Sequence, residues 1–294
     1  MAAKRLAAIV AAVLLVVAAI GARRWLDTGG EVSLGGTPSA VYCDPLVADA
    51  CRQAFAGRQI IVEAPGVTLD RLIDARDASP LLWVTDQHWI DVLETERDRL
   101  GRSAVLGSVE RDLAHSDVVL VSSGGLDSAC GANITWACVA MSLDGTDIGF
   151  DNRNTTVGLL ARGSVTAGFI GTPSFATNDI DAGVRSWQAG FDRDLTELAS
   201  TRRALDEMLT VRGRFQLVTA AAVDWARLSR SGFEAVTPSD SGPAITIALA
   251  VVGDAGGRSD DLGAALVDSG WQAGPGPERI GPSPGVLESL RSAS

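Results

Sequence analysis

Leu81-Leu82-Trp83-Val84-Thr85-Asp86-Gln87-His88-Trp89 is the stretch whose reading decides the fold. Leu81 to Thr85 carry no charge and no polar alternation, which is how a strand buried on both faces reads. Asp86-Gln87-His88 breaks the run, and Ile90, Leu93 and Leu100 then continue as a helix. Moving outward, the same alternation returns. Val41-Tyr42-Cys43 ends a strand, and Asp44-Pro45 opens a helix with Leu46, Val47, Ala50, Cys51, Ala54 and Phe55 on one face. Gln59 to Glu63 is a short strand, followed by a helix carrying Leu69, Leu72 and Ile73. Asp117 to Val121 is a further strand, ending in Ser122-Ser123-Gly124-Gly125.

Beyond residue 126 a second set begins. Thr135 to Met141 reads as a helix and Asp147 to Phe150 as a strand. Asp151 to Thr156 is a polar turn that opens a long apolar helix from Val157 to about Ile170. Residues 184–212 read as helical. Phe215 to Thr219 is a strand feeding a helix to Leu228, Ala244 to Val252 is a longer apolar strand, and a last helix spans about Asp260 to Asp268. Strands alternating with helices imply an α/β sheet architecture with largely parallel strands.

The N-terminus reads separately. Lys4-Arg5 precedes 17 uncharged residues, Leu6 to Ala22, and Arg23-Arg24 follows. At roughly 1.5 Å per residue that run reaches about 26 Å, the lower limit for crossing a bilayer as a helix. Cleavage after Gly21 would leave Ala22-Arg23-Arg24, a poor context, and no Cys directly follows the run. Residues 1–24 are therefore read as a signal-anchor or transmembrane segment rather than a cleaved signal peptide or a core helix. Residues 25–40, rich in Gly, Ser and Thr, read as a flexible tether. The expected localisation is the cell membrane, single-pass, with the ectodomain on the extracytoplasmic side.

Charge narrows the function classes. The net charge is −11, and the first 24 residues hold four of the 25 basic residues and none of the 36 acids. What remains is strongly acidic, which argues against nucleic acid as a partner. The four cysteines, Cys43, Cys51, Cys130 and Cys138, form two C-x7-C pairs. Outside the cytoplasm an even count favours disulfides. Three pairings exist; the local one, Cys43–Cys51 with Cys130–Cys138, is preferred over buried free thiols. The spacing is too long for a zinc site, and His88 and His115 form no H-x3-5-H pair. No metal and no cofactor is expected. The sequence carries no G-x-S-x-G, Walker A, H-E-x-x-H or G-x-G-x-x-G motif, so no enzyme is expected. Asp44, Asp86, Asp151 and Asp240 each follow a strand, but loop acids usually cap turns.

The order of elements over residues 41–290 resembles bacterial extracellular solute-binding proteins with the type 2 periplasmic-binding-protein fold. Leu82 to Trp89, Asp117 to Ser123, Asp151 to Gly171 and Phe215 to Leu228 carry the likeness. It implies an α/β fold of two lobes joined by two crossovers. Lobe 1 would hold 41–125 plus 243–294 and lobe 2 126–242, preceded here by the transmembrane segment. Ligands in such folds sit at the carboxyl ends of strands, facing helix N-termini. That rule selects Asp86, Gln87 and His88, then Ser122 and Ser123, then Asn154, Thr155 and Thr156, with Thr219 after the last strand. Hydroxyls and backbone N–H groups suit a small ligand, an anion or carboxylate among the classes that fit. The resemblance implies a membrane-anchored extracytoplasmic solute-binding protein with a small-molecule ligand. An envelope interaction or sensory protein working beside a membrane partner, without transport, is the second reading, and an extracytoplasmic hydrolase the third.

Overall fold

A computed structural model describes residues 40–76, 79–123, 130, 134–141, 148–211, 213–240, 242–253, 260–277 and 281–293. All lie in the unit Pro38–Ser294. The signal-anchor 1–24, the tether up to residue 39 and Gly124-Gly125 lie outside the described residues.

In chain order the elements are β1 (Ala40–Cys43), α1 (Ala48–Ala54), β2 (Gln59–Val62), α2 (Pro65–Asp74), β3 (Leu81–Asp86), α3 (Gln87–Arg99), β4 (Leu106–Ser116) and β5 (Val118–Ser122). Then follow α4 (Trp136–Met141), β6 (Ile148–Phe150), α5 (Thr156–Ile170), α6 (Ala182–Asp194), β7 (Thr196–Glu197), α7 (Ala204–Thr210), β8 (Leu217–Ala221) and α8 (Ala222–Leu228). The chain closes with β9 (Glu234–Val236), β10 (Ile245–Val252), α9 (Asp260–Asp268), β11 (Gln272–Ala273) and α10 (Pro284–Ser292).

The strands form two sheets, one in the order β11-β4-β10-β3-β1-β2 and one in the order β7-β6-β8-β5-β9. The chain passes from the first sheet to the second at Asp117 and returns between β9 and β10. Two crossovers therefore join two α/β halves, as expected. The first crossover falls earlier than the expected boundary at 125, because β5 pairs with β8 and β9. The sheets are also less parallel than expected. β1 runs parallel to β2 and β3, and β6 parallel to β7 and β8, but β10 and β5 are antiparallel to both of their neighbours.

Both faces of the central strands are covered. In β10, Ile245, Ile247, Leu249 and Val251 join a core shared with Leu120, Phe150 and Val157 of the second half. Its alternate residues Ala248, Ala250 and Val252 join Trp83, Trp89 and Leu93 beneath α3. In β5, Val119 and Val121 turn instead toward Leu205, Met208 and Phe215. A continuous apolar run is what two covered faces demand. Helix α5 is buried at every residue from Thr156 to Thr166, and it contacts α4, α6, α10, β5, β8 and β10. A helix without a polar face can only be a central one.

Among the described residues no helix is long and apolar enough to cross a membrane. That finding overturns the single-pass cell-membrane localisation expected from the sequence, and membrane partnership through residues 6–22 has no support in the described structure. The apolar run was long enough on paper, but it falls outside the described residues.

One buried arginine fixes the first half. Arg97, 3% exposed, donates to the carbonyls of Leu72 (2.6 Å), Ile73 (3.1 Å) and Ala75 (2.9 Å) at the end of α2 and to Ser103 (2.8 Å). These are the carbonyls a helix C-terminus leaves unbonded. Arg97→Met is expected to lower unfolding stability by about 3 kcal/mol in urea titrations. Arg52→Met, which removes only the pair between two exposed side chains, Arg52 and Asp49, should leave the midpoint nearly unmoved; equal effects would refute the capping role.

Candidate functional site

The carboxyl ends of β1, β3 and β6 meet where the two halves adjoin. Asp44 directly follows β1. Its Oδ1 accepts from the Leu46 N–H at 2.9 Å, and its Oδ2 accepts from the Thr156 hydroxyl. Thr156 is the first residue of α5, in the other half, and its Oγ1 accepts in turn from the Trp89 indole N–H at 2.9 Å. Asp86 ends β3 and caps α3: Oδ1 accepts from the His88 N–H at 2.9 Å and lies 2.7 Å from His88 Nδ1, and Oδ2 accepts from the Thr246 N–H at 2.6 Å. Asp151 follows β6 and accepts from the Ala204 N–H at 2.6 Å. Arg203, just before α7, pairs with Asp224 of α8 and donates to the Pro45 carbonyl at 2.8 Å, tying the second half to the loop after β1.

A second contact crosses the junction at the start of α2. The Gly66 N–H donates to the Asn154 carbonyl at 3.0 Å. A Cβ on Gly66 would stand 2.6 Å from Asn154 Oδ1, so only glycine permits the approach. Arg291 of α10 reaches the same spot, donating to Asn154 Oδ1 at 3.3 Å and pairing with Asp70 of α2 at 2.8 Å.

Burial sets the charge states. It pushes Asp44 up to about 6 against the lowering effect of its hydrogen bonds and of Arg203. It pushes Asp151 up to about 7 and raises Asp224 despite the Arg203 pair. Burial pulls the His88 imidazole down, but the adjoining Asp86 and nearby Asp91 outweigh it and leave it above its ordinary value. Among the described residues no group of three or more His, Cys, Asp and Glu side chains is placed to hold a metal ion.

Of the residues selected from sequence, Asp86, Gln87, His88, Asn154, Thr155 and Thr156 stand on the two turns that open α3 and α5. Thr155 caps α5, accepting from the Gly158 N–H at 3.2 Å. Ser122 and Ser123 are not at the junction. β5 runs antiparallel to β8, with Val118 opposite Ala221 and Ser122 opposite Leu217, so its carboxyl end points the other way. Strand direction is set by partners distant in sequence, and a strand read alone does not disclose it. Thr219 is buried within β8 opposite Leu120, and its hydroxyl has no hydrogen-bond partner among the described residues. Asp44 and Asp151 were visible as acids after strands. Arg203, Asp224 and the role of the Trp89 indole had no local signal.

No family model and no curated protein matches the sequence. Solved structures do. Iron-bound HitA from Pseudomonas aeruginosa matches at a TM-score of 0.55 and 12% identity, over 87% of this chain and 98% of that one. The fold is that of the periplasmic and extracellular solute-binding proteins. A second structure with this solute-binding fold is the periplasmic binding protein AfuA from Actinobacillus pleuropneumoniae with exogenous fructose-6-phosphate bound. It matches at 0.51 and 10% identity, over 80% and 79% of the two chains. The cysteines pair locally, Cys43 with Cys51 and Cys130 with Cys138, at Cα separations of 6.6 and 5.7 Å, within the range a disulfide spans.

The buried acids give the solute-binding fold a pH dependence of definite sign. Folded Asp151 keeps its proton to about pH 7, while the unfolded chain releases it near 3.8. The folded state thus binds more protons between those values, and this group's contribution to stability falls as pH rises from about 4 to 7. Asp151→Asn keeps an acceptor for the Ala204 N–H and removes the titration. Between pH 5 and 6.5 the variant's unfolding free energy should fall less steeply than wild type, by about 1.4 kcal/mol per pH unit. Parallel profiles would contradict the assignment.

Proposed function

We propose that this chain is an extracytoplasmic solute-binding protein that takes a small polar solute at the junction, between the first turns of α2, α3 and α5. The halves around the first and second sheets act as the two lobes, hinged at Asp117 and at Thr237 to Asp240. One observation carries the reading: the carboxyl ends of β1, β3 and β6 and the N-termini of these helices meet where the chain changes sheets. Ligands of open α/β folds bind in such a place. Two disulfides fit an oxidising compartment outside the cytoplasm. Binding rather than catalysis fits the two solved proteins, one holding iron and the other fructose-6-phosphate; ligands so different carry no identity across at this sequence distance.

At the junction the protein's own groups bond one another. The Asn154 carbonyl takes the Gly66 N–H, and Thr156 is shared between Asp44 and Trp89. A solute enters by exchanging these contacts for its own, with Asn154, Thr155 and Thr156 on one side and Gln87 and His88 on the other. An anion is one candidate class, drawn by helix N-termini and hydroxyls. Asp44 and Asp86 oppose it wherever they are ionised, which favours a solute with hydrogen-bond donors beside its anionic group.

The same observation gives the second reading its ground. The N-termini of α2, α3 and α5 are already supplied with acceptors by Asn154, Asp86 and Thr155, which also suits an interaction or sensory protein that needs no small ligand. A thermal-shift screen of the purified chain against oxyanions, amino acids, sugars and sugar phosphates separates the two. Under the first reading at least one solute raises the melting temperature in proportion to ln(1 + [L]/Kd), and Thr156→Val weakens it by about tenfold or more. No shift across the panel, with a protein partner co-purifying, supports the second reading.

A further inference from the structure

A cavity of about 360 Å³ opens beside the C-terminal half of α5, away from the junction. Its walls come from α4, from α5 and the turn after it, from Ser239, Asp240, Gly242 and Pro243 of the crossover that returns the chain to the first sheet, and from Pro282. The apolar lining is small: alanine, glycine and proline, Ala167 and Pro243 among them. Such a volume is at the lower end of the range that encloses small organic molecules.

Among the described residues four polar side chains line it, Ser164, Thr172, Ser239 and Asp240, and their hydrogen bonding decides what it can hold. Ser164 donates its proton to the Leu160 carbonyl at 2.8 Å, Thr172 to the Ser174 carbonyl at 3.2 Å, and Ser239 to the Ile134 carbonyl at 3.4 Å. The Ser164 proton is thereby committed to the backbone and those of Thr172 and Ser239 are directed to it over longer distances, which turns oxygen lone pairs toward the cavity. Asp240 is an acceptor too: Oδ1 takes the Trp136 N–H at 2.7 Å and Oδ2 the Ala137 N–H at 3.1 Å. A hydroxyl or carboxylate retains lone pairs for a further donor after such bonds. Among the described residues the side-chain wall thus offers acceptors, one of them a carboxylate, and no spare donor. An anion would face like charge without a partner; a donor-bearing cation would satisfy the wall.

We propose that this cavity binds a small organic cation, an ammonium or amidinium group on a compact apolar body, with the charge at Asp240 and the body against α5 and the crossover. The site is separate from the junction and stands or falls independently of the solute proposed there. Its occupancy also bears on the crossover. Gly242 lies so close to α5 that a Cβ there would stand 1.9 Å from Ser164 Oγ, so the crossover and α5 are already packed as one, and a bound cation braces both.

Calorimetric titration of the full chain with benzylammonium, benzyl alcohol and benzoate tests this. Benzylammonium should bind one site with a Kd on the order of 1 mM or tighter, and both the alcohol and benzoate at least about tenfold more weakly. Asp240→Asn should weaken benzylammonium by about tenfold or more. Ala167→Leu, which leaves the charge untouched and fills the cavity, should abolish binding. Circular dichroism confirms that both variants fold, and the comparison of the three probes on wild type needs neither of them. Benzoate binding as tightly as benzylammonium overturns the proposal. So does undiminished binding in Ala167→Leu, which marks general attraction of cations to an acidic surface, and so does the absence of binding at 10 mM, a tenfold excess over the expected Kd on the order of 1 mM.

Discussion

The Thr156 hydroxyl holds the two halves of this protein in register. It donates to Asp44 behind β1 and accepts from the Trp89 indole in α3, so one oxygen in the second half satisfies two groups of the first. Trp89 is fully buried, and a buried indole N–H without a partner is costly. The position of Thr156 is in turn fixed by α5, which is buried at every residue from Thr156 to Thr166. The close approach of Gly66 to Asn154, the Arg203 contact to Pro45 and the Arg291 bridge between Asp70 and Asn154 are arranged around that anchor.

The elements legible in the sequence are those whose burial is complete. β3, β10 and α5 read clearly because continuous apolar runs leave few alternatives. β4 did not read as a strand: Leu106 to Ser116 contains Glu110, Arg111, Asp112 and His115, and it is drawn into the sheet, with breaks in register, by pairing with β10. Residues 184–212 carry a helical pattern throughout, yet the chain breaks after α6 so that β7 can pair with β6. Pairing with a distant strand overrides local preference in both cases.

The site divides along the same line. Residues that follow a strand and open a helix, Asp86 to His88 and Asn154 to Thr156, were legible because strand–turn–helix grammar is local. Ser122 and Ser123 obeyed the same grammar but lie at the other end of their sheet, since the sense of β5 comes from β8 and β9. The pair Arg203–Asp224 and the indole of Trp89 depend on neighbours that only folding brings together. The cavity beside α5 was invisible for a related reason: its polarity depends on which carbonyls three hydroxyls have found.

If the junction is where a solute enters, it must open at a cost below that of unfolding. Native-state hydrogen exchange measures this without knowing the ligand. The Gly66 amide and the Trp89 indole proton should exchange through an opening cheaper than global unfolding, while amides in β10 such as Leu249 exchange only when the whole domain unfolds. Exchange of all three at the same free energy would mean that the halves never part, and would contradict the account of this protein as a solute binder.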